Sequence, residues 1–152
     1  MEEKELPINF FNEEIDFALT NEEKTSNWLQ KIANKEGYIV AAINYIFCDD
    51  EYLHKINLEY LNHDTYTDII TFDNSEDNEE NEQVLEGDIF ISIDRVKENS
   101  AELKTNFEQE IHRVMVHGLL HLVGYDDHSD EDEKLMREKE DNALKLLVIS
   151  DK

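Results

Sequence analysis

The sequence predicts a single mixed α+β domain over residues 1–152, with about four strands among several helices. Apolar residues recur at helical spacing in several segments, most clearly in 106–122. Short runs rich in β-branched and aromatic residues lie between those segments. Gly and Pro number only 4 and 1, so no linker-rich stretch divides the chain, and no internal repeat is present.

Ile8–Phe11 opens as a short strand. Asn21 is placed to cap a helix that runs to Lys35, with Trp28, Leu29, Ile32 and Ala33 on one face and Gly37 at its end. Tyr38–Phe47 reads as a central strand. Asp49 or Asp50 caps a second helix carrying Leu53, Ile56, Tyr60 and Leu61 at helical spacing. Beyond the polar stretch 62–67, Asp68–Phe72 forms a strand. Asn74–Glu86 is the one low-complexity segment; strand signals on both sides make it an acidic, solvated loop within the domain. Gly87–Ile93 alternates as a further strand, and a helix follows over Asp94–Leu103. Asn106–Leu122 is the strongest helix, with Phe107, Ile111, Val114, Met115, Gly118 and Leu122 near one face and Gly124 as its stop. Ser129 caps a last helix whose first turn is crowded with Asp and Glu, as the helix dipole favours; its acidic run reads as a solvated face.

With 14 Lys+Arg against 38 Asp+Glu the formal net charge is −24. Nucleic-acid binding rests on cations that neutralise phosphates, so a stand-alone nucleic-acid-binding module is disfavoured. An enzyme that meets RNA through a metal ion and a small local patch remains compatible. A lone cysteine, Cys48, rules out an internal disulfide framework and fits a reducing compartment. The N-terminus lacks the basic and apolar regions of a secretory signal, and no apolar run is long enough to span a bilayer. The expected location is the cytoplasm, without a membrane partner.

Chemistry concentrates in HGLLHLVGYDDH, residues 117–128. His117 and His121 stand at i and i+4, so on a helix both imidazoles project from one face and can reach one ion. Gly124 can turn the chain so that the next loop supplies a third ligand. At the position after the first His, zinc peptidases place the Glu that activates water; here it is Gly118, which disfavours that mechanism. Asp126 is placed either to orient a ligand imidazole or to cap the loop. His54 and His63 read as surface or capping residues, His112 as structural because it lies off the ligand face, and Cys48 as a small buried residue.

This segment resembles the HGxLHLxGYDH signature of the YbeY family, single-strand endoribonucleases of rRNA maturation. Asn57, Tyr60, Asp64, Thr67, Asp68 and Phe72 resemble that family's N-x-x-Y-R-x-x-D-x-x-T-D-V-L-S-F segment, and Gly87, Asp88 and Ile89 its L-G-D-I strand. The resemblance covers roughly residues 38–140. It implies a compact α+β fold in which a metal-binding helix packs on a small mixed sheet. It further implies one bound Zn²⁺, cleavage of RNA at the 3′ end of the small-subunit rRNA, a part in ribosome quality control, and rRNA and the ribosome, with no DNA, as partners.

Two positions depart from the family. Its third ligand is a His six residues after the second; here that register falls on Asp127, with His128 one later. Asp127 is favoured because no gap is needed, and zinc accepts a carboxylate oxygen; His128 would need a one-residue bulge. Leu61 stands where the family carries an Arg suited to a phosphate contact. Arg95, Lys97 and Arg113 are candidate substitutes, each more simply read as a surface charge. The catalytic expectation is His117, His121 and Asp126; the metal ligands come from His117, His121, Asp127 and His128. The alternative, favoured by Leu61 and the charge, is a metal-stabilised ribosome-assembly protein without turnover.

Overall fold

The computed structural model describes residues 7–19, 21–62, 67–74, 84–126 and 128–150, with side chains up to residue 147. Nine elements follow in chain order among them: β1 (Ile8–Asn12), α1 (Glu22–Lys35), β2 (Ile39–Cys48), α2 (Asp50–Leu61), β3 (Ile69–Asp73), β4 (Val84–Ser92), α3 (Ile93–Leu103), α4 (Phe107–Val123) and α5 (Asp130–Ser150). The sheet is mixed, in the order β1-β2-β4-β3. β1 and β4 run parallel to β2, and β3 runs antiparallel to β4. Each parallel neighbour demands a helical crossover, and helices at 22–35 and 50–61 supply them.

The strand alternation sorts side chains to two faces. From β4, Leu85, Ile89 and Ile91 enter the main core with Ile43, Tyr45 and Phe47 of β2 and the apolar faces of α1, α3, α4 and α5. On the opposite face Phe90 and Phe72 pack with Cys48, Leu53, Ile56 and Ile70 under α2. Trp28, Leu29, Ile32 and Ala33 are all buried, so α1 presents the stripe its sequence forecasts. Asn21, Asp49, Ser92 and Asn106 each accept a backbone N–H from the first turn of the helix they precede. The Ser129 hydroxyl does the same for Asp132, 3.1 Å away.

Some expectations need correction. The strand expected at Gly87 begins at Val84, because Val84 and Leu85 pair with Ile39 and Val40. The last three residues of the acidic segment are thus sheet; residues 75–83 lie outside the described set. Tyr60 and Leu61 are 69% and 43% exposed, because the buried stripe of α2 is Leu53, Ile56 and Asn57. His112 is structural: its ring meets Trp28 edge-on at 5.6 Å between centroids, and burial holds its pKa below the ordinary histidine value. Cys48 is buried at the strand end as expected, where burial pushes its thiol up to about 12. His63 and Asp64 lie outside the described residues.

No helix among the described residues is long and apolar enough to cross a membrane.

Candidate active site

The site is built on the C-terminal half of α4, which the sheet grips at two points. Tyr45, fully buried in β2, donates its hydroxyl hydrogen to the Met115 carbonyl at 2.9 Å. Three residues on, Gly118 lets the helix lie directly on β3 and β4. A Cβ at this position would stand 2.9 Å from Ile69 Cδ1 and 3.0 Å from Ile89 Cγ2. The glycine is therefore required by close approach to the sheet, and a carboxylate side chain there would be driven into the isoleucines.

His117 and His121 face the same way. Their rings meet at 81°, and their Nε2 atoms are 2.9 Å apart. Nitrogens this close either share a proton or face one cation. Two ligands each about 2.0–2.1 Å from a tetrahedral zinc stand roughly 3.3 Å apart, so a small adjustment admits the ion. The opposite edge of His117 is fixed: its Nδ1–H donates to Glu140 Oε2 at 2.7 Å. That hydrogen bond keeps the proton on Nδ1 and leaves the Nε2 lone pair toward His121, the role of a carboxylate behind a metal-ligating histidine.

Glu140 is held in turn by Arg113, whose Nη1 lies 2.9 Å from Glu140 Oε1 while Nη2 reaches Asp141 Oδ1 at 2.7 Å. Burial alone would raise the Glu140 pKa. The hydrogen bonds from His117 and Arg113 outweigh it and hold the carboxyl below the usual range, so it stays ionised. Glu140 is the functional residue that sequence reasoning missed. Its trace is the spacing Met136, Glu140, Ala143, which puts a carboxylate on the buried stripe of an otherwise acid-coated helix.

The turn after α4 is closed by Gly124 at φ 124°, a backbone conformation that side-chain-bearing residues rarely take. Its N–H donates to the Leu120 and His121 carbonyls, both at 3.1 Å. Tyr125 then pins the outgoing loop, its hydroxyl donating to Glu36 Oε2 at 2.7 Å. Lys139 holds the other oxygen of that carboxylate at 2.9 Å. α1, α5 and the loop are thereby tied together beside the histidines.

Among the candidate residues, the structure brings His117, His121 and His128 to one cleft of about 760 Å³, which Asn57, Leu61 and Asp68 also line. The His128 side chain is 84% exposed, with its Nε2 4.0 Å from Asp126 Oδ1. Asp126 itself is largely exposed, and the hydrogen bond that orients His117 comes from Glu140 instead. Asp127 lies outside the described residues. Among the described residues no three His, Cys, Asp or Glu side chains are grouped closely enough to hold an ion. Leu61 stands at the cleft, so the family's Arg position belongs to the site and here contributes an apolar side chain. Of the proposed substitutes, Arg113 is engaged with Glu140 and Asp141, and Arg95 pairs with Asp50 and Glu98. Lys97 is an exposed residue of α3.

A helix that turns two imidazoles toward one point and backs the first with a carboxylate is an arrangement found in metal-dependent hydrolases, a class that this fold and site fit. A family profile described as endoribonuclease YbeY matches residues 8–148. Proteins named endoribonuclease YbeY from Christiangramia forsetii and Flavobacterium johnsoniae are 49% and 51% identical, over 93% and 91% of this chain and 95% and 96% of their own. The solution structure of the Thermotoga maritima protein TM1509 is similar at a TM-score of 0.62 and 28% identity, covering 92% of this chain and 88% of that one. The chain belongs to the endoribonuclease YbeY family.

Proposed function

We propose that this chain is a zinc-dependent endoribonuclease that cuts single-stranded RNA, acting in the cytoplasm on the 3′ end of small-subunit rRNA with the ribosome as partner. The observation that carries the reading is the 2.9 Å meeting of the His117 and His121 Nε2 atoms beside an open cleft. When bound, zinc supplies a lowered pKa for water and polarisation of a phosphoryl oxygen. His117 and His121 would hold it, with Asp127 or His128 completing the set.

The chain's own residues do the positioning. Glu140 fixes the tautomer of His117, and Arg113 keeps Glu140 ionised. Proton acceptance has three candidates: a substrate oxygen, Asp126, or whichever of Asp127 and His128 stays off the ion. Replacing His117 or His121 with Ala should abolish both zinc content, measured by elemental analysis, and cleavage of a single-stranded rRNA fragment. Unchanged metal content in either variant contradicts the site.

The second reading, an assembly protein without turnover, is favoured by Leu61 at the cleft and by the charge of −24. Single-turnover assays with and without zinc separate the two. Cleavage that requires zinc and both histidines supports the enzyme; binding without cleavage supports the alternative.

A further inference from the structure

A second cleft, of about 550 Å³, lies between α4 and α5 and shares His117 and Asp68 with the histidine cleft. The two are thus contiguous across one imidazole. The size falls within the roughly 300–1,000 Å³ usual for small-ligand sites. α4 contributes Glu110 and Arg113 to it, and α5 contributes Lys134, Arg137 and Glu140.

The three cations of this cleft differ in state. Arg113 is committed to Glu140 and Asp141. Lys134 and Arg137 stand three residues apart on α5, so they project from the same side of that helix. Both are exposed, and among the described residues neither side chain has an ion-pair partner within 4.0 Å. The facing wall carries Glu110, buried on α4. Cations without close partners are unexpected here, because acidic residues outnumber basic ones 38 to 14 in the chain.

We infer that the α4–α5 cleft is a phosphodiester subsite, in which Arg137 and Lys134 hold a backbone phosphate of the RNA next to the bond cut at His117. The inference rests on the proposed action on single-stranded RNA. It supplies the cationic contact that Leu61 does not make, from a different helix. An extended RNA strand crossing the histidine cleft can pass His117 and enter this one without leaving the surface. Arg137 offers a forked donor pair to phosphate oxygens and Lys134 a point charge. Asp130 and Glu133 at the same cleft oppose any general anion attraction, so the affinity resides in these two side chains rather than in a diffuse field.

The test uses the zinc-loaded full chain and a non-cleavable 2′-O-methyl single-stranded oligonucleotide, with Kd measured across a KCl series. Each phosphate contact to a single strand contributes about 0.7 to the slope of log K against log salt. Arg137→Gln and Lys134→Gln should each lower that slope by about 0.7, and the double variant by about 1.4. Arg137→Lys, which keeps the charge, should restore the slope, a recovery that a purely structural role would not give. Lys31→Gln, on α1, serves as the control and should leave it unchanged. A slope unmoved by Arg137→Gln and Lys134→Gln while the wild type binds overturns the subsite and leaves the nuclease reading standing. An equal loss in the Lys31 control overturns it as well. A wild type that neither binds nor cuts the single strand overturns the functional reading, and the subsite with it.

Discussion

Replacing Glu140 by Gln should weaken zinc binding by about 10- to 100-fold, although the side chain never reaches the proposed metal position. The carboxylate accepts from two donors at once, His117 Nδ1–H at 2.7 Å and Arg113 Nη1–H at 2.9 Å. A glutamine amide has one oxygen, so its NH₂ must face one of these donors. Facing Arg113, it sets donor against donor beside a guanidinium that is only 16% exposed. Facing His117, it pushes the proton to Nε2 and removes the lone pair meant for the metal. The first outcome lowers stability, the second affinity. Either is worth about 1–3 kcal/mol, the usual scale for a buried polar group left unsatisfied. The expected affinity loss corresponds to about 1.4–2.8 kcal/mol at 1.4 kcal/mol per decade. Chelator competition measures zinc affinity, and urea unfolding of the metal-free protein measures the stability share. Adding Arg113→Met should recover part of the affinity, because the amide can then turn its oxygen to His117. A Glu140→Gln protein with zinc affinity within twofold of wild type would refute the assignment of Glu140 as the residue that orients His117.

Three further outcomes follow from the packing and titration of α4. Gly118→Ala gains roughly 1 kcal/mol of helix propensity but forces Ile89 Cγ2, 3.0 Å away on a fully buried residue, to move. Overpacking costs about 1–3 kcal/mol, so a net loss of about 1 kcal/mol is expected in urea midpoints. Tyr45→Phe removes the hydrogen bond to the Met115 carbonyl and should cost about 0.5–1.5 kcal/mol; an unchanged midpoint would show that the hydroxyl does not anchor the helix. Burial lowers the His112 pKa from its ordinary 6.5, so the unfolded chain takes up the proton first as pH falls. The contribution of His112 is therefore intact above about pH 6.5 and shrinks as pH drops through and below that value. His112→Phe should flatten the wild-type stability loss between about pH 7.5 and 5.5, and identical pH slopes in the two proteins would contradict the burial argument.

How far the site could be read in advance depends on the distance along the chain over which each relation acts. His117 and His121 are four residues apart, and an α-helix has 3.6 residues per turn, so their shared face follows from their spacing once the segment is helical. The caps at Asn21, Asp49 and Ser129 act within three residues, and Gly124 stops α4 where the apolar pattern ends, whereas the Ser92 cap lies inside the segment that reads as a strand. Tyr60 and Leu61 were misplaced because a helical stripe about 100° wide admits two readings in a short segment, and the sheet chose the one through Asn57.

The sequence by itself determined the elements, their order and the pair of imidazoles, because each is encoded by neighbours within one or two turns. Only the tertiary structure decided what stands behind His117. Glu140 lies 23 residues away and meets it because α5 folds back across α4, an approach stabilised by the Trp28 Nε1–H bond to the Ala143 carbonyl at 2.7 Å, across 115 residues. Local periodicity shows that a helix will bury a face, but the partner against which it is buried is selected by the packing of the whole core. The same packing turned Gly118 onto the isoleucines of the sheet and opened Arg137 and Lys134 onto the cleft beside the histidine.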